Sequence, residues 1–134
     1  MTTSSTLPSQ KKAHLTRLTR NSKIFKTIAR AIEDKKGESI VSLDLRKIPE
    51  AVADFFIICQ ATSTTQLKAI SDFVEEQVNL SCGENPYKQE GRQAMQWILV
   101  DYVNIVVHIM HPDTRNFYKL EEIWNDAGIQ KHEL

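Results

Sequence analysis

Two short apolar runs separated by a two-residue break constrain the fold more than any other stretch of this sequence. The runs read WILVDY and IVVHIM, and they occupy positions 97–102 and 105–110. Both are short, the second is rich in β-branched residues, and the connection between them is tight, so they predict the two strands of a hairpin. A chain with such a hairpin must contain a sheet, and each face of the hairpin must be used for packing or for binding.

Other periodic stretches predict helices and strands around this hairpin. A helix is expected from Ser22 to Gly37, because apolar residues recur there at three- and four-residue spacing. Alternation in SIVSLDL predicts a strand, and the continuous apolar run ADFFIICQA is typical of a central strand covered on both faces. A second helix begins at the hydroxyl-rich TSTT and ends near Cys82-Gly83.

The carboxyl-terminal part of the chain predicts a short strand and a final helix. The short strand is expected from Tyr87 to Glu90. The helix is expected from about Asp113 to Gly128, with Phe117, Leu120 and Trp124 turned inward. The order of these elements predicts an α/β fold in which helices pack on a mixed β-sheet.

Charge divides the chain into two unlike parts. No acidic residue precedes Glu33, whereas seven basic residues do: Lys11, Lys12, Arg17, Arg20, Lys23, Lys26 and Arg30. From residue 33 onward ten Lys and Arg stand against seventeen Asp and Glu, a net charge of −7. We interpret residues 1–20 as a flexible basic tail and residues 21–130 as a single domain. An organelle transit peptide is the alternative for the tail, because its composition is similar.

Neither a membrane nor an oxidising compartment is indicated by the sequence. No apolar run approaches the length of about 20 residues that a membrane-spanning helix needs. The two cysteines form no Cys-x-x-Cys pair and suggest no disulfide framework. We therefore expect a cytoplasmic protein with no membrane partner.

Asp101 and His108 form the one pair in the hairpin that suggests catalysis, as an orienting carboxylate and a general base. In a hairpin that turns near Val103-Asn104, however, they are not direct cross-strand neighbours. His108 and His111 lack the helical spacing and the third ligand of a zinc site. The four glycines form no phosphate-binding loop, and the predicted strands carry no paired carboxylates for metal-dependent nucleotidyl transfer. We expect no enzymatic activity, no cofactor and no metal.

Three stretches of the chain resemble a known family over about residues 21–128. They read ADFFIICQATSTTQLKAISDFVEE, WILVDYVNIVVHIMHPDTRNFYKLEEIW and NDAG. They are similar to the ribosomal silencing factor family, also called RsfS or Iojap-like. The resemblance implies a nucleotidyltransferase-like fold that lacks the catalytic carboxylates, and hence a protein that is not an enzyme. It also implies binding to ribosomal protein L14 of the large ribosomal subunit, which blocks joining of the small subunit and represses translation.

The resemblance also implies a contact surface on the hairpin and its neighbours. The main candidates for this contact are Trp97, Leu99, Asp101 and Tyr102, and the weaker candidates are Lys88, His108, Arg115 and Tyr118. Alternation puts Trp97, Leu99 and Asp101 on one face of their strand and Tyr102 on the other. For each candidate the alternative is a structural role, such as core packing for Trp97 and Tyr102, or attachment of the last helix to the sheet for Arg115.

Two positions depart from the family pattern. Ala61 stands where a glycine is common, and Val103-Asn104 replaces Gly-Asp in the turn of the hairpin. Because a β-branched residue disfavours a positive φ, we expect either a different turn or a left-handed conformation at Asn104.

Partners and competing functions follow from the same observations. The acidic body suits a basic ribosomal protein, and the basic tail suits rRNA phosphates. The resemblance implies a homodimer for the isolated protein. Two other function classes stay open: an enzyme of nucleotidyltransferase type, which would bind nucleotides and divalent metal ions, and a homodimeric interaction module that uses the same strand face.

Overall fold

A six-stranded sheet with helices on both faces forms the body of the protein. The computed structural model describes residues 18–124 and 128–132. In chain order the elements are α1 (Lys23–Asp34), β1 (Glu38–Asp44), β2 (Phe55–Gln60), α2 (Thr64–Cys82), β3 (Lys88–Glu90), β4 (Trp97–Asp101), β5 (Ile105–Met110), α3 (Pro112–Tyr118), α4 (Leu120–Ile123) and β6 (Gly128–His132). The expected α/β architecture is confirmed.

The sheet is mixed because its two central strands run parallel while the other pairs are antiparallel. Its strand order is β3-β4-β5-β2-β1-β6, and β2 pairs with β5 in a parallel register. Five of the six residues of β2 and all six of β5 are buried, as central strands covered on both faces require. The prediction that the FFIICQ run is a central strand is confirmed.

Alternation along the strands sends side chains into two separate hydrophobic clusters. The first cluster lies between the sheet and the long helices α1 and α2, and it includes Ile28 and Ile70. The second lies on the other face of the sheet and includes Phe56. Strand β4 contributes to both clusters, because its even-numbered residues join the first while Trp97 and Leu99 pack against the second. The predicted alternation of the hairpin is therefore confirmed.

The two long helices begin and end close to their predicted positions. The hydroxyl oxygen of Ser63 accepts a hydrogen bond from the Gln66 N–H at 3.1 Å at the start of α2, and Gly83, with a φ of 67°, follows its end. Glycine adopts that left-handed conformation without a steric cost. A Cβ added at Gly37 would lie only 2.4 Å from Cγ2 of Ile32, so this glycine lets the chain pass close to α1 before it enters β1.

The prediction for the final helix is wrong in its extent. Instead of one helix from Asp113 to Gly128, α3 stops at Tyr118, Lys119 has a φ of 50°, and α4 adds a single further turn. Gly128 begins β6, a strand that the sequence analysis missed. The segment GIQKH has a low intrinsic strand propensity, and it forms a strand because it pairs antiparallel with β1 at the edge of the sheet.

Phe117 points outward, in contrast to its predicted inward position. Its side chain is 77% exposed, whereas Leu120 is buried and Trp124 packs against the second cluster as predicted. The break at Lys119 changes the rotational phase of the helix between residues 117 and 120. One continuous helical period therefore cannot describe both positions.

The turn between β4 and β5 contradicts the expectation that Val103 would avoid a positive φ. Val103 has a φ of 73°, its N–H donates to Oδ1 of Asp101 at 2.7 Å, and the Asn104 N–H donates back to the Tyr102 carbonyl at 2.8 Å. This pattern is the rare, strained form of the γ-turn with a positive φ at its centre. The Asn104 carbonyl also accepts a hydrogen bond from the Phe55 N–H at 3.1 Å, so surrounding contacts hold the turn in place.

We expect Val103→Gly to stabilise the protein, because glycine adopts a positive φ without the steric cost of a β-branched side chain. Relief of about 1–2 kcal/mol of strain, offset in part by the greater freedom of glycine in the unfolded chain, leaves a gain of about 1 kcal/mol in the free energy of unfolding. Urea denaturation measures this gain. Val103→Ala is the matched control, since it keeps a Cβ and should gain less. Equal free energies of unfolding for wild type and Val103→Gly would show that the positive φ of Val103 does not strain the backbone.

Candidate functional site

An aromatic surface lies where β4 meets α3. The Trp97 and Tyr118 ring centroids are 5.0 Å apart, and the Tyr118 and Phe117 centroids are also 5.0 Å apart. Phe117 and Tyr118 are 77% and 49% exposed. Leu99 is half-buried on the same face of β4 as Trp97. We define the aromatic surface by Trp97, Leu99, Phe117 and Tyr118.

The chain reaches this surface by a direct connection from β5 into α3. The His111 N–H donates to the Gln96 carbonyl at 2.8 Å, and the Nδ1 of His111 accepts from the Asp113 N–H at 3.2 Å. Pro112 occupies the first turn of α3, where its missing N–H costs nothing. The helix therefore starts at a fixed point beside the beginning of β4, and its last residue lies against Trp97.

His108 orients Trp97. The indole N–H of Trp97 donates to Nδ1 of His108 at 3.0 Å, and the Phe56 ring lies 4.5 Å from the imidazole between centroids. The neutral imidazole then carries its proton on Nε2, which has no partner among the residues described. His108 is 4% exposed, and burial lowers its pKa to about 3, so the side chain is neutral at physiological pH.

The structure separates Asp101 from His108. Across the hairpin, Asp101 pairs with Val106 and His108 pairs with Leu99. Oδ1 of Asp101 instead accepts the N–H of Val103 at 2.7 Å. The carboxylate therefore bonds within the turn and does not orient the imidazole. This agrees with the expectation that Asp101 and His108 are not direct cross-strand neighbours.

Lys88 and Asp101 form a charged border next to Leu99. They lie directly opposite each other in the β3–β4 pair, so both side chains are on the face of the sheet that carries Leu99. Lys88 Nζ also lies 3.0 Å from Oε2 of Glu90, and this hydrogen bond raises the pKa of Lys88. Because the Lys88–Glu90 pair is exposed, it adds little to stability, but it supplies a polar rim of both signs.

Arg115 joins four elements of the fold. Its Nη1 donates to the Ser39 carbonyl at 2.8 Å and to Oε1 of Gln60 at 3.2 Å, and its Nη2 donates to the Glu121 carboxylate at 2.8 Å. Ser39 has a φ of 50° and lies where the register of β1 against β2 shifts, so its carbonyl is available outside the strand ladder. Arg115, which is 9% exposed, thus ties α3 to β1, β2 and α4.

Tyr102 lies on the opposite face of the sheet. Its side chain is 6% exposed, it belongs to the cluster under α1 and α2, and burial raises its pKa. Its hydroxyl has no hydrogen-bond partner within the described part of the chain. Tyr102 therefore does not share the face of Trp97, and its role as a contact residue stays a prediction.

Metal-ligating side chains are dispersed over the described part of the chain, and one of its two cysteines is buried. Within residues 18–124 and 128–132, no group of three or more His, Cys, Asp and Glu side chains could hold a metal ion. Cys59 is fully buried, and burial raises its pKa to about 12, so the thiol stays protonated. None of the helices described is long and apolar enough to cross a membrane.

Comparison with known proteins relates the chain to a known family. The family model RsfS, described as "Ribosomal silencing factor during starvation", matches residues 19–134. The chain belongs to the ribosomal silencing factor family. The ribosomal silencing factor RsfS of Bacillus subtilis is 40% identical over 106 residues, which cover 79% of this chain and 88% of that protein. The resemblance found in the sequence is thereby confirmed.

A relative matched over a shorter stretch and a solved structure extend the comparison. The mouse protein "Mitochondrial assembly of ribosomal large subunit protein 1" is 41% identical over 73 residues, which are 53% of this chain and 32% of that protein. A crystal structure of a protein from Chromobacterium violaceum matches with a TM-score of 0.72 and 32% identity, and the match covers 76% of this chain and 83% of the other. The mouse relative is named for the large ribosomal subunit, and the solved structure supports the fold.

In this silencing factor, the structure gathers four of the eight candidates that the resemblance had suggested. The gathered residues are Trp97, Leu99, His108 and Tyr118. Lys88 and Asp101 border them, whereas Arg115 anchors α3 from within and Tyr102 lies on the other face. Phe117 is predicted by the sequence to face inward and is instead a surface residue. Only the helix break at Lys119 would have revealed its exposure, and no glycine or proline marks that break.

Replacing His108 with glutamine should reduce the loss of stability at mildly acidic pH. The pKa of a histidine is about 6.5 in an unfolded chain, whereas burial lowers that of His108 to about 3 in the folded protein. Between these values the unfolded chain binds a proton at residue 108 that the folded protein does not bind, so stability is present above about pH 6.5 and falls as the pH decreases. From about pH 7 to pH 5 this contribution is about 2 kcal/mol.

Urea denaturation of wild type and His108→Gln at both pH values measures the difference. Glutamine does not titrate, and its side-chain oxygen can accept the Trp97 indole N–H, so the variant keeps that hydrogen bond. Burial and Arg20 also lower the pKa of His132, so the variant retains a smaller pH dependence from that residue. Parallel pH profiles of the two proteins would show that His108 does not cause the acid sensitivity.

Proposed function

We propose that this silencing factor binds ribosomal protein L14 of the large ribosomal subunit through the aromatic surface and thereby blocks association with the small subunit. The observation that carries the proposal is the exposure of Phe117 and Tyr118 in continuous ring contact with Trp97. Membership of the family and a relative named for ribosomal large subunit assembly support a target on that subunit. The protein acts in the cytoplasm and represses translation.

The aromatic surface has the properties of a protein-binding site. Large aromatic side chains at the centre of a patch and a polar rim around it are typical of energetically important contacts. Trp97 is held by His108, and α3 is held by Arg115, so little conformational entropy is lost when a partner binds. Lys88 and Asp101 can supply the rim.

Electrostatics also favours a basic ribosomal protein as the partner. From residue 33 onward the chain has a net charge of −7. Opposite charges on two proteins raise their association rate and disfavour partners of the same sign. Two acidic side chains near the aromatic surface, Glu90 and Asp113, are more than half exposed. An acidic approach surface therefore complements a basic partner.

The proposed mechanism is steric occlusion. A bound protein of this size occupies space at the subunit interface, and no covalent step is needed for inhibition. The strength of repression then depends on the fraction of large subunits that carry the factor, which is set by its affinity and concentration. Competing functions would need a different property, namely nucleotide and metal binding for an enzyme, or self-association for a homodimeric module.

Phe117→Ala should weaken binding to isolated large subunits by about tenfold to a hundredfold, which corresponds to about 1–3 kcal/mol for an exposed aromatic contact. Comigration in sucrose gradients and inhibition of subunit joining, followed by light scattering, measure the effect. Leu80→Ala is the matched control because Leu80 is also apolar and 72% exposed but lies on α2. Both substitutions are at the surface and should leave folding intact.

The control and the wild type decide between the functions. Equal loss of binding in Phe117→Ala and Leu80→Ala would remove the aromatic surface from the proposal. Absence of wild-type comigration at low salt would overturn the proposal itself and would direct attention to nucleotide and metal binding. Sedimentation of the free protein over a concentration series tests whether a second copy covers the same surface, because Phe117→Ala should then favour the monomer.

Removal of residues 1–17 should make large-subunit binding less sensitive to salt. These residues contain Lys11, Lys12 and Arg17, and we infer that the basic tail contacts rRNA. Residues 18–20 are kept because Leu18 packs on the first cluster and Arg20 donates to Ser42 Oγ at 2.9 Å. The slope of log affinity against log salt should flatten by about two to three.

A chain of full length in which these three cations are replaced by glutamine is the matched control for the truncation. It should give the same flattening if charge alone accounts for the contact. A salt slope unchanged in both variants would contradict a role for the tail in rRNA binding.

A further inference from the structure

A stripe of three exposed cations runs along α1. Lys23, Lys26 and Arg30 are all exposed, and their spacing of three and four residues puts them on one side of the helix. From Lys23 to Arg30 the stripe spans about 10 Å of helix axis. The opposite side of α1 is buried in the first hydrophobic cluster. We call these three residues the α1 stripe.

The α1 stripe borders a polar groove between α1 and α2. Besides the three cations, the groove is lined by Thr27 of α1 and by Gln77 and Ser81 of α2. Amide and hydroxyl side chains such as these donate hydrogen bonds to phosphate oxygens in protein–nucleic acid contacts. Asp34 closes the groove at the far end of α1, one turn beyond Arg30.

The α1 stripe differs from most cationic side chains of the body in having no acidic partner. Among residues 18–124 and 128–132, none forms an ion pair with Lys23, Lys26 or Arg30. Six cations later in the chain each lie within ion-pair distance of a carboxylate: Arg46, Lys68, Lys88, Arg92, Arg115 and Lys119. The positive charge of the stripe is therefore available to an external anion, although the body from residue 33 onward is acidic.

We propose that the α1 stripe and its groove bind the phosphate backbone of RNA. Three exposed cations along about 10 Å of one helix face can contact neighbouring phosphates of a single strand, and such phosphate contacts supply most of the affinity of proteins for nucleic acids. The apolar side of α1 is already packed in the core, so the helix has nothing to insert into a lipid surface. An acidic protein is the other class of partner, and competition between RNA and an acidic polypeptide separates the two.

This inference rests on the proposed function only for the identity of the RNA, which would be the rRNA next to the site on the large subunit. The stripe lies on the α1–α2 side of the sheet, whereas the aromatic surface lies on the other side. Both surfaces can therefore be occupied at the same time, and each can be tested without the other.

The test measures binding of the full-length protein to a fluorescein-labelled, mixed-sequence single-stranded RNA of about 20 nucleotides by fluorescence anisotropy. The variant carries Lys23→Gln, Lys26→Gln and Arg30→Gln together. Its affinity should be at least about tenfold lower than that of wild type at about 0.05 M KCl, and the salt slope should flatten by about two. Circular dichroism verifies that the variant is folded.

A charge-matched control carries Lys47→Gln, Lys68→Gln and Lys131→Gln, which remove the same number of exposed cations from other parts of the surface. It should bind RNA within about twofold of wild type. Equal loss in the two triple variants, or no RNA binding by wild type at about 0.05 M KCl, would overturn the proposal. Competition by poly-L-glutamate as effective as that by unlabelled RNA would also overturn it, in favour of an acidic protein partner.

Phe117→Ala separates this inference from the proposed function. That variant should bind RNA as wild type does, because Phe117 lies on the other side of the sheet. If wild type binds large subunits but the stripe variant binds RNA normally, the stripe proposal fails while the proposed function stands. If wild type binds RNA through the stripe but does not comigrate with large subunits, the proposed function fails while the stripe proposal stands.

Discussion

The parallel pairing of β2 with β5 is the constraint on which the rest of the structure depends. Parallel neighbours need a long crossover, and here residues 61–104 provide it with α2, β3 and β4. As a central strand, β5 is buried on both faces, so His108 loses its water and becomes a neutral acceptor for Trp97. Because β5 leads directly into α3, it also determines where the helix that carries Phe117 and Tyr118 begins.

The aromatic surface is rigid because buried polar contacts hold each of its parts. A helix as short as α3 is not stable by its own propensity, and Arg115 stabilises it by hydrogen bonds to the bulged carbonyl of Ser39 and to the Glu121 carboxylate. The indole of Trp97 is held in the same way by His108. An exposed ring such as Phe117 is unfavourable in the free protein, and a rigid setting lets its burial contribute to binding with little loss of entropy.

Much of the fold could be predicted because hydrophobic periodicity reports burial directly. The central strand, both long helices and the two faces of β4 follow from the spacing of apolar residues alone. The strand β6 and the break at Lys119 could not be predicted, because pairing at a sheet edge and a left-handed lysine depend on tertiary contacts. At the candidate site, alternation identified the face of Trp97. The exposure of Phe117 could not be predicted because it depends on the helix break at Lys119. The contacts of Arg115 could not be predicted because they depend on a bulge in β1. The positive φ of Val103 likewise depends on hydrogen bonds within the turn and on those that the Asn104 carbonyl accepts from Asp54 and Phe55.

The positions of the two proposed surfaces suggest how an acidic protein can bind a particle rich in RNA. With a net charge of −7 from residue 33 onward, the body is repelled by phosphates in most orientations. The α1 stripe is positive and lies opposite the aromatic surface, so in the proposed binding mode the field of the ribosome would favour the orientation in which α1 faces RNA and Trp97 faces protein. Long-range charge then sets the approach, while the short-range aromatic contacts determine how long the complex lasts. Steric occlusion depends only on the fraction of large subunits that are occupied. The residues of the α1 stripe can therefore set the orientation of binding, while the residues of the aromatic surface set the residence time.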